Sequence, residues 1–367
     1  MFKKLKQRIE SKRNSKNPFW KTLISIKDFI WRSLQKNKYR IKKIIFPIKL
    51  HRIDKKPIPY ARNEIRLFLL VRNESLRLPY LLKYYSNKGV DRFFIIDNGS
   101  TDDSIDFLLK QDKVHIWKTN QSYKKNRQGM DWKEKLLRKY GKGYWCLMVD
   151  TDEIFFYPHA EKISIRDLCN FLDKKKKGAL LCFLMDMYSS KPLRLSLYKK
   201  GENPLSVCPY FDKGHRETKR KFLNYYTFHE YKSERFTGGM RKRIFNIEVC
   251  LSKVPLFKYK KGVFISSGIH SIEGVPTSNV RGGVFHFKYL QDFPSRVMEE
   301  AKRGQYWKNA VQYKRYAKKI KENLNLNLYY PGSVKFKNSK QLVKLGIMKT
   351  SKEFEENYRQ LKSLEKF

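Results

Sequence analysis

Tyr144-Trp145-Cys146-Leu147-Met148-Val149-Asp150-Thr151-Asp152-Glu153-Ile154-Phe155-Phe156 runs apolar, breaks into three carboxylates, and turns apolar again. A short apolar run without a polar break reads as a strand buried on both faces. The carboxylates then stand at its end. In extended chain, residues two apart project to one side, so Asp150 and Asp152 face a common ligand while Thr151 points away. Hard divalent cations take carboxylate oxygens and bridge to phosphates. The pattern predicts a seat for a metal ion and a diphosphate.

The same reading extends outward. Apolar runs at 67–71, 92–97, 114–117 and 179–185 join 144–149 as predicted strands. Amphipathic stretches at 76–87, 102–111, 125–140 and 165–175 lie between them as helices. Strands alternating with helices predict an α/β fold, a mostly parallel central sheet flanked by helices. Ligands bind such sheets at the carboxyl ends of the strands. The first strand ends in Val71-Arg72-Asn73-Glu74 and the second in Asp97-Asn98-Gly99-Ser100-Thr101-Asp102. Ser100, Thr101 and Asp102 suit the cap of the next helix, which leaves Asp97 as the ligand contact. Beyond residue 188 the chain is irregular, aromatic and glycine-bearing. Residues 296–324 then read as one long amphipathic helix and 352–366 as a last polar one.

Arg-Asn-Glu, then Asp-Asn-Gly-Ser-Thr-Asp, then Asp-Thr-Asp-Glu, each after a strand, resembles the family 2-type glycosyltransferases, in the subgroup whose motif reads Asp-x-Asp-Glu. The resemblance is specific over 65–157 and continues less closely through Gly238-Gly239-Met240-Arg241-Lys242-Arg243, Lys253-Val254-Pro255-Leu256 and His286-Phe287-Lys288. It implies the GT-A nucleotide-diphospho-sugar transferase fold and transfer of a sugar from a nucleotide donor to a surface-polysaccharide or lipid-linked glycan. On it, Asn73, Glu74 and Asp97 would hold the donor nucleoside, and Arg127 would lie near the donor. Asp150 and Asp152 would hold a divalent metal, Mn²⁺ or Mg²⁺, with the diphosphate. The family's late metal-binding histidine would be His286, with His270 second. Arg241 and Arg243, beside two glycines, suit a phosphate because guanidinium forks match its geometry.

Inverting transfer needs a base for the acceptor hydroxyl. Asp186, after the run 179–185, is the first choice, and Glu230, beside His229, the second. The family's usual Glu-Asp pair ahead of a late helix is missing. A sugar-nucleotide nucleotidyltransferase would need a glycine-rich loop after the first strand, where this chain has Arg72-Asn73-Glu74-Ser75.

The chain has 367 residues, 81 of them Lys or Arg against 35 Asp or Glu, a formal charge of +46. Such charge favours polyanions. It prompts a nucleic-acid binder as a further alternative, but no helix-turn-helix or basic–aromatic stacking motif supports specific binding. Residues 1–60 hold 19 basic and 3 acidic residues, a net +16, and form a basic extension before 61–293, the predicted catalytic domain, and 294–367, a helical C-terminal region. Phe19, Trp20, Leu23, Ile24, Ile26, Ile30, Trp31 and Leu34 recur at mostly helical spacing among lysines, with Ile44, Ile45, Phe46 and Ile48 beyond. Two readings stay open for this helix: an anionic membrane surface, or docking on the catalytic domain. Five cysteines without a Cys-x-x-Cys pair read as free thiols in a reducing compartment. With no apolar signal segment, the expected place is the cytoplasm, peripheral on the inner face of the membrane.

Overall fold

The computed structural model describes residues 17–45, 47–224 and 230–364. The basic start at 1–16, Phe46, His229 and the end of the last expected helix lie outside the described residues. The chain forms two compact units, one of 1–48 with 221–232, the other of 49–220 with 233–367.

In the first unit, Pro18–Ile45 is one helix, α1. The second unit is built on a nine-stranded sheet. Its strands are β1 (His51–Arg52), β2 (Ile65–Val71), β3 (Arg92–Asp97), β4 (Val114–Lys118), β5 (Trp145–Met148), β6 (Glu153–Phe156) and β7 (Ala179–Asp186), with β11 (Ser252–Lys258) and β14 (Thr277–His286). Between these come short β8 (Tyr210–Phe211), the hairpin β9 (His215–Leu223) and β10 (Glu230–Gly238), and the pair β12 (Phe264–Ile265) and β13 (Ile272–Glu273). A late β15 (Val334–Lys335) pairs with β8.

The sheet order is β1-β4-β3-β2-β5-β11-β7-β14-β6. Strands β2, β3, β4, β5, β7 and β14 run one way, and β1, β6 and β11 run the other. The sheet is therefore mostly parallel in direction. β5 and β7 are buried along their whole length, as apolar runs covered on both faces must be. Crossover helices α2 (Leu78–Asn87), α3 (Ser104–Leu109) and α4 (Met130–Leu136) link the first four parallel strands, and α5 (Ile165–Lys174) follows β6. Pro79 opens α2, and a Ser164–Asp167 capping box opens α5. Helix α4 starts later than its sequence pattern predicts, because Arg127, Gln128 and Gly129 all take left-handed backbone.

Helices α6 (Gly239–Phe245), α7 (Phe293–Arg303), α8 (Trp307–Glu322), α9 (Ser339–Lys344) and α10 (Lys352–Leu364) complete the chain. The single helix expected over 296–324 is two helices. Gly304, at φ 63°, caps α7 in the left-handed region that glycine adopts without strain and turns the chain before α8.

At the end of the sheet away from the strand carboxyl termini, charged groups are buried in a chain. His115 is fully buried between Asp54 and Arg92, with Nδ1 3.1 Å from Asp54 and Nε2 3.2 Å from Arg92. Glu64 pairs with both Arg92 and Arg66. Arg66 lies 3.5 Å above the Tyr144 ring. These pairs tie residues 49–64 to the sheet edge, which places residues 49–60 in the second unit. Neutral imidazole satisfies the site, donating from Nδ1 to Asp54 and accepting at Nε2 from Arg92. Burial, reinforced by Arg52 and Arg92 against the opposing pull of Asp54, lowers the His115 pKa.

A depressed histidine pKa gives stability that is present above the unfolded value of about 6.5 and lost as pH falls through the folded one. His286, whose pKa is raised, contributes in the opposite sense. The comparison that isolates His115 is therefore wild type against His115→Gln. The wild-type advantage in Tm should be larger at neutral pH than below the unfolded histidine pKa, in thermal melts across that range. An advantage constant with pH would mean that His115 carries no such strain.

Candidate active site

The six co-directed strands bring their carboxyl ends to one edge. β2 and β5 are adjacent and parallel, while the crossovers from β2 lead first outward to β3. This is the switch point where such sheets leave a crevice. The residues after β2 and β5 open onto it: Arg72 and Glu74 from one, Asp150, Thr151 and Asp152 from the other. From β14 and beyond come His286 and Lys288, from α7 Arg296, Glu300 and Arg303, and from the aromatic wall Tyr123, Tyr306 and Tyr313. The cavity so enclosed has a volume of ≈ 160 Å³. A more open hollow of ≈ 400 Å³ shares Arg72, Asn98, Tyr123 and Arg303 with it and adds Gly99, Asn120, Gln121, Ser122 and Gln305.

Register explains the centre. His286 pairs with Asp186 across parallel β7 and with Glu153 across antiparallel β6. Its Nδ1 lies 2.6 Å from Asp186 and its Nε2 3.3 Å from Asp152. Arg241 grips the other side of Asp186 with two bonds of 2.7 and 2.9 Å. The row Arg241–Asp186–His286–Asp152 thus alternates in charge from the core to the cleft. Burial opposes ionisation of Asp186, but Arg241 and His286 outweigh it and hold its pKa at about 2. Burial likewise works against a charged His286, and Asp152 with Asp186 reverses the sign and raises its pKa.

Asp150 is half-exposed and has two ammonium neighbours, Lys133 at 3.2 Å and Lys253 at 3.6 Å. They overcome its burial cost and hold its pKa at about 2. Lys253 also pairs with Glu153 at 2.6 Å, and a Glu153 oxygen accepts the Asp150 amide at 3.1 Å. Glu74 is buried against Arg296 at 2.6 Å. Glu300 is paired through one oxygen with Arg303, and its other oxygen, Oε2, is buried without a hydrogen-bond partner. Burial raises the Glu300 pKa.

Four residues named from the sequence line this cleft: Glu74, Asp150, Asp152 and His286. The others stand elsewhere. Asp97 is completely buried, and its carboxylate accepts the amides of Gly99 and Ser100 at 3.1 Å, so it shapes the turn instead of meeting a ligand. Asn73 accepts the Thr101 amide at 2.7 Å and ties the two strand-end loops together. Arg127 turns to its own helix and pairs with Asp131 and Glu134. Asp186 is saturated by Arg241 and His286 and does not line the cleft, which makes it a positioning residue and not a free base. Arg241 is spent on Asp186, and Arg243 on Asp212, the Leu328 carbonyl and the Tyr330 ring, so neither presents an open fork to a phosphate. Glu230 belongs to the first unit and pairs with Lys221 at 3.2 Å. His270 sits 2.8 Å from the Ser252 carbonyl, outside the cleft lining.

Sequence reasoning missed Lys133, Lys253, Lys288, Arg296, Glu300 and the tyrosine wall. For Lys288 a signal existed, two residues after His286. For the α7 residues none did, since their place depends on how the last helices fold back.

No family model and no curated protein matches the sequence. Among solved structures, the chain is similar to S. aureus TarS 1–349, with 16% identity over 37% of this chain and 47% of that one, at a TM-score of 0.27. It is similar to glucosyl-3-phosphoglycerate synthase from Mycobacterium tuberculosis, in complex with Mn²⁺, uridine-diphosphate and glucosyl-3-phosphoglycerate, with 16% identity over 38% of this chain and 52% of that one, at 0.24. A putative glucose-1-phosphate thymidylyltransferase from Bacillus anthracis gives 13%, 35% and 57%, at 0.25. The chain spans about half the length of the structures it matches. Likenesses this partial carry no weight for the chemistry, which rests on the site itself.

The two carboxylates expected to act as bases differ in what their loss should cost. Asp186→Ala strands Arg241 in the core and should destabilise by about 3–5 kcal/mol. Glu230→Ala breaks an exposed pair and should stay within about 0.5 kcal/mol. Urea unfolding of both variants checks this, and equal effects would contradict the buried charge row.

Proposed function

We propose that the chain is a GT-A-type glycosyltransferase that moves a sugar from a nucleoside-diphosphate donor to a hydroxyl of a glycan or lipid-linked acceptor. The observation that carries this reading is the meeting of Asp150, Asp152 and His286 at the switch-point crevice, walled by Lys288, Arg296 and Arg303. Acidic metal ligands inside a basic rim suit a diphosphate. The open hollow lined by amide side chains beside Tyr123 suits a nucleoside, and the enclosed cavity suits the sugar diphosphate.

A divalent cation fits the residues present. Among the described residues no three His, Cys, Asp or Glu side chains gather as a ligand set. Mg²⁺-like ions, however, take only one or two protein ligands together with substrate phosphates and water. The Asp152 oxygen and His286 Nε2 would supply such a pair once the ion displaces the Nε2 proton, and Asp186 on Nδ1 fixes the ring as ligating histidines require. When bound, the ion would offset charge on the departing diphosphate. Lys288, with its Nζ 2.9 Å from the Tyr313 hydroxyl, and Arg296 would add fixed positive charge.

Glu300 replaces Asp186 as the proposed base. Among the described carboxylates of the cleft, it is the one with a buried oxygen that no donor uses. Burial raises its pKa, which is the direction a proton acceptor requires. The acceptor proton passes to Glu300, the acceptor oxygen bonds to the anomeric carbon, and the bond from that carbon to the diphosphate oxygen breaks. Attack from the face opposite the leaving group inverts the sugar. The five free cysteines suit work in the cytoplasm.

Neither alternative gains support. The loop after β2 has no glycine to cradle a triphosphate, against a nucleotidyltransferase, and no groove of stacked aromatic and basic side chains along the cleft marks a nucleic-acid track among the described residues.

Nucleotide sugars screened by thermal shift with Mn²⁺ should raise Tm for at least one donor, and Asp152→Ala should lose the metal-dependent part. Glu300→Gln should keep the donor shift and lower turnover about 10²–10⁴-fold. No shift from any nucleotide sugar would sink the glycosyltransferase reading, and full turnover in Glu300→Gln would sink the base.

A further inference from the structure

No described residue of the first unit lines the cleft, and the unit carries a different chemistry. On α1, Phe19 is 63% exposed, Ile26 50%, Ile30 52%, Leu34 62% and Ile41 54%. These five advance by seven, four, four and seven residues. At 3.6 residues per turn they fall within about 80° of the helix circumference, one stripe along its length. Phe29, 71% exposed, stands about 60° beyond the edge of that stripe. Apolar residues in such number on one exposed face mark a contact with something apolar.

The second element is the stretch 221–232, which holds the end of β9 and the start of β10 and falls in the same unit. Its sequence over 221–232 has five aromatic residues in twelve, Phe222, Tyr225, Tyr226, Phe228 and Tyr231, between Lys221 and Lys232. The rings of Phe222 and Tyr231 lie 6.1 Å apart across the hairpin. Tyrosine is the residue that settles at the boundary of lipid and water.

Charge selects the partner. Residues 1–48 with 221–232 contain 17 basic and 3 acidic residues, a net +14. A polyanion without an apolar phase would use that charge and leave the stripe in water. An apolar protein surface would use the stripe and leave the charge unmatched. No helix among the described residues is long and apolar enough to cross a membrane. We propose that this unit lies in the interface of an anionic phospholipid bilayer, with the α1 stripe and the Phe222–Tyr231 pair entering the headgroup layer and the lysines and arginines meeting lipid phosphates. The proposal stands independently of the sugar-transfer reading, since no cleft residue enters it.

The test uses the full chain and co-sedimentation with vesicles. Phosphatidylcholine vesicles containing phosphatidylglycerol should carry the protein down, pure phosphatidylcholine should not, and added salt should weaken the binding. Ile26→Glu with Ile30→Glu should lower the bound fraction about tenfold or more, since it places two anions in the stripe. Phe222→Ser with Tyr231→Ser should weaken binding several-fold by a second route, so that a misfolded α1 in the first variant does not decide the matter. The melting of the second unit should be unchanged in both. Failure of the wild type to bind anionic vesicles overturns the proposal. So does undiminished binding by both double variants, equal affinity for duplex DNA, or self-association through the stripe without lipid.

Discussion

The contact between Asp186 and His286 holds the centre of this protein in place. It exists because β7 and β14 run parallel and in register, so that the two residues end their strands side by side. A histidine fixed at Nδ1 has only Nε2 left to offer, and that atom faces Asp152. Arg241 is what keeps Asp186 ionised in the interior. Remove any link, and a charge is left in the core without its counterpart, which is far more costly than an exposed pair. The row is therefore structural and, on the proposed reading, functional through the same bonds.

Acidity at the cleft floor raises a problem that the surrounding bases solve. Glu74, Asp150, Asp152 and Glu300 would together repel a diphosphate. Each is instead matched: Asp150 by Lys133 and Lys253, Glu74 by Arg296, Glu300 by Arg303, Asp152 by His286. The result is a site of strong local fields and small net charge. On the proposed reading, basic side chains already ordered by carboxylates would need little rearrangement to meet phosphate oxygens, the form of preorganised electrostatics that lowers a barrier.

Much of this was legible in the chain. Apolar runs ending in acids located the parallel strands and their working edge, because a buried strand leaves no room for polar residues until it ends. Asp152, named from its place at a strand end, and His286, named from the resemblance, both line the cleft. The roles of Asp97, Arg127, Asp186, Arg241 and Arg243 were not. Each carries the right chemistry for a ligand, but each is consumed by a partner far away in sequence, and pairing of that kind leaves no periodic trace. Asp97 shows the general case. A carboxylate just before a glycine turn serves either a ligand or the turn's own amides, and only the backbone conformation decides which. Glu300 was hidden for a related reason: within 296–324 it reads as one more polar position on a helix, and the break at Gly304 that folds α8 back sets its surroundings.

The cleft wall also joins the two ends of the second unit. Arg77, beside the β2 loop, grips Asp292 with two bonds of 2.8 Å, and Arg296 returns the contact to Glu74. These reciprocal pairs link segments more than 200 residues apart in sequence. They compensate two buried charges, Glu74 and Arg77, with the partly exposed Arg296 and Asp292, so loosening either contact leaves a buried charge less well matched. The β2 loop that begins the crevice and the α7 helix that closes it therefore order together. The strands alone cannot complete this site: without α7, Glu74 and Arg77 would keep only their own 3.4 Å contact and lose the shorter bonds to Arg296 and Asp292.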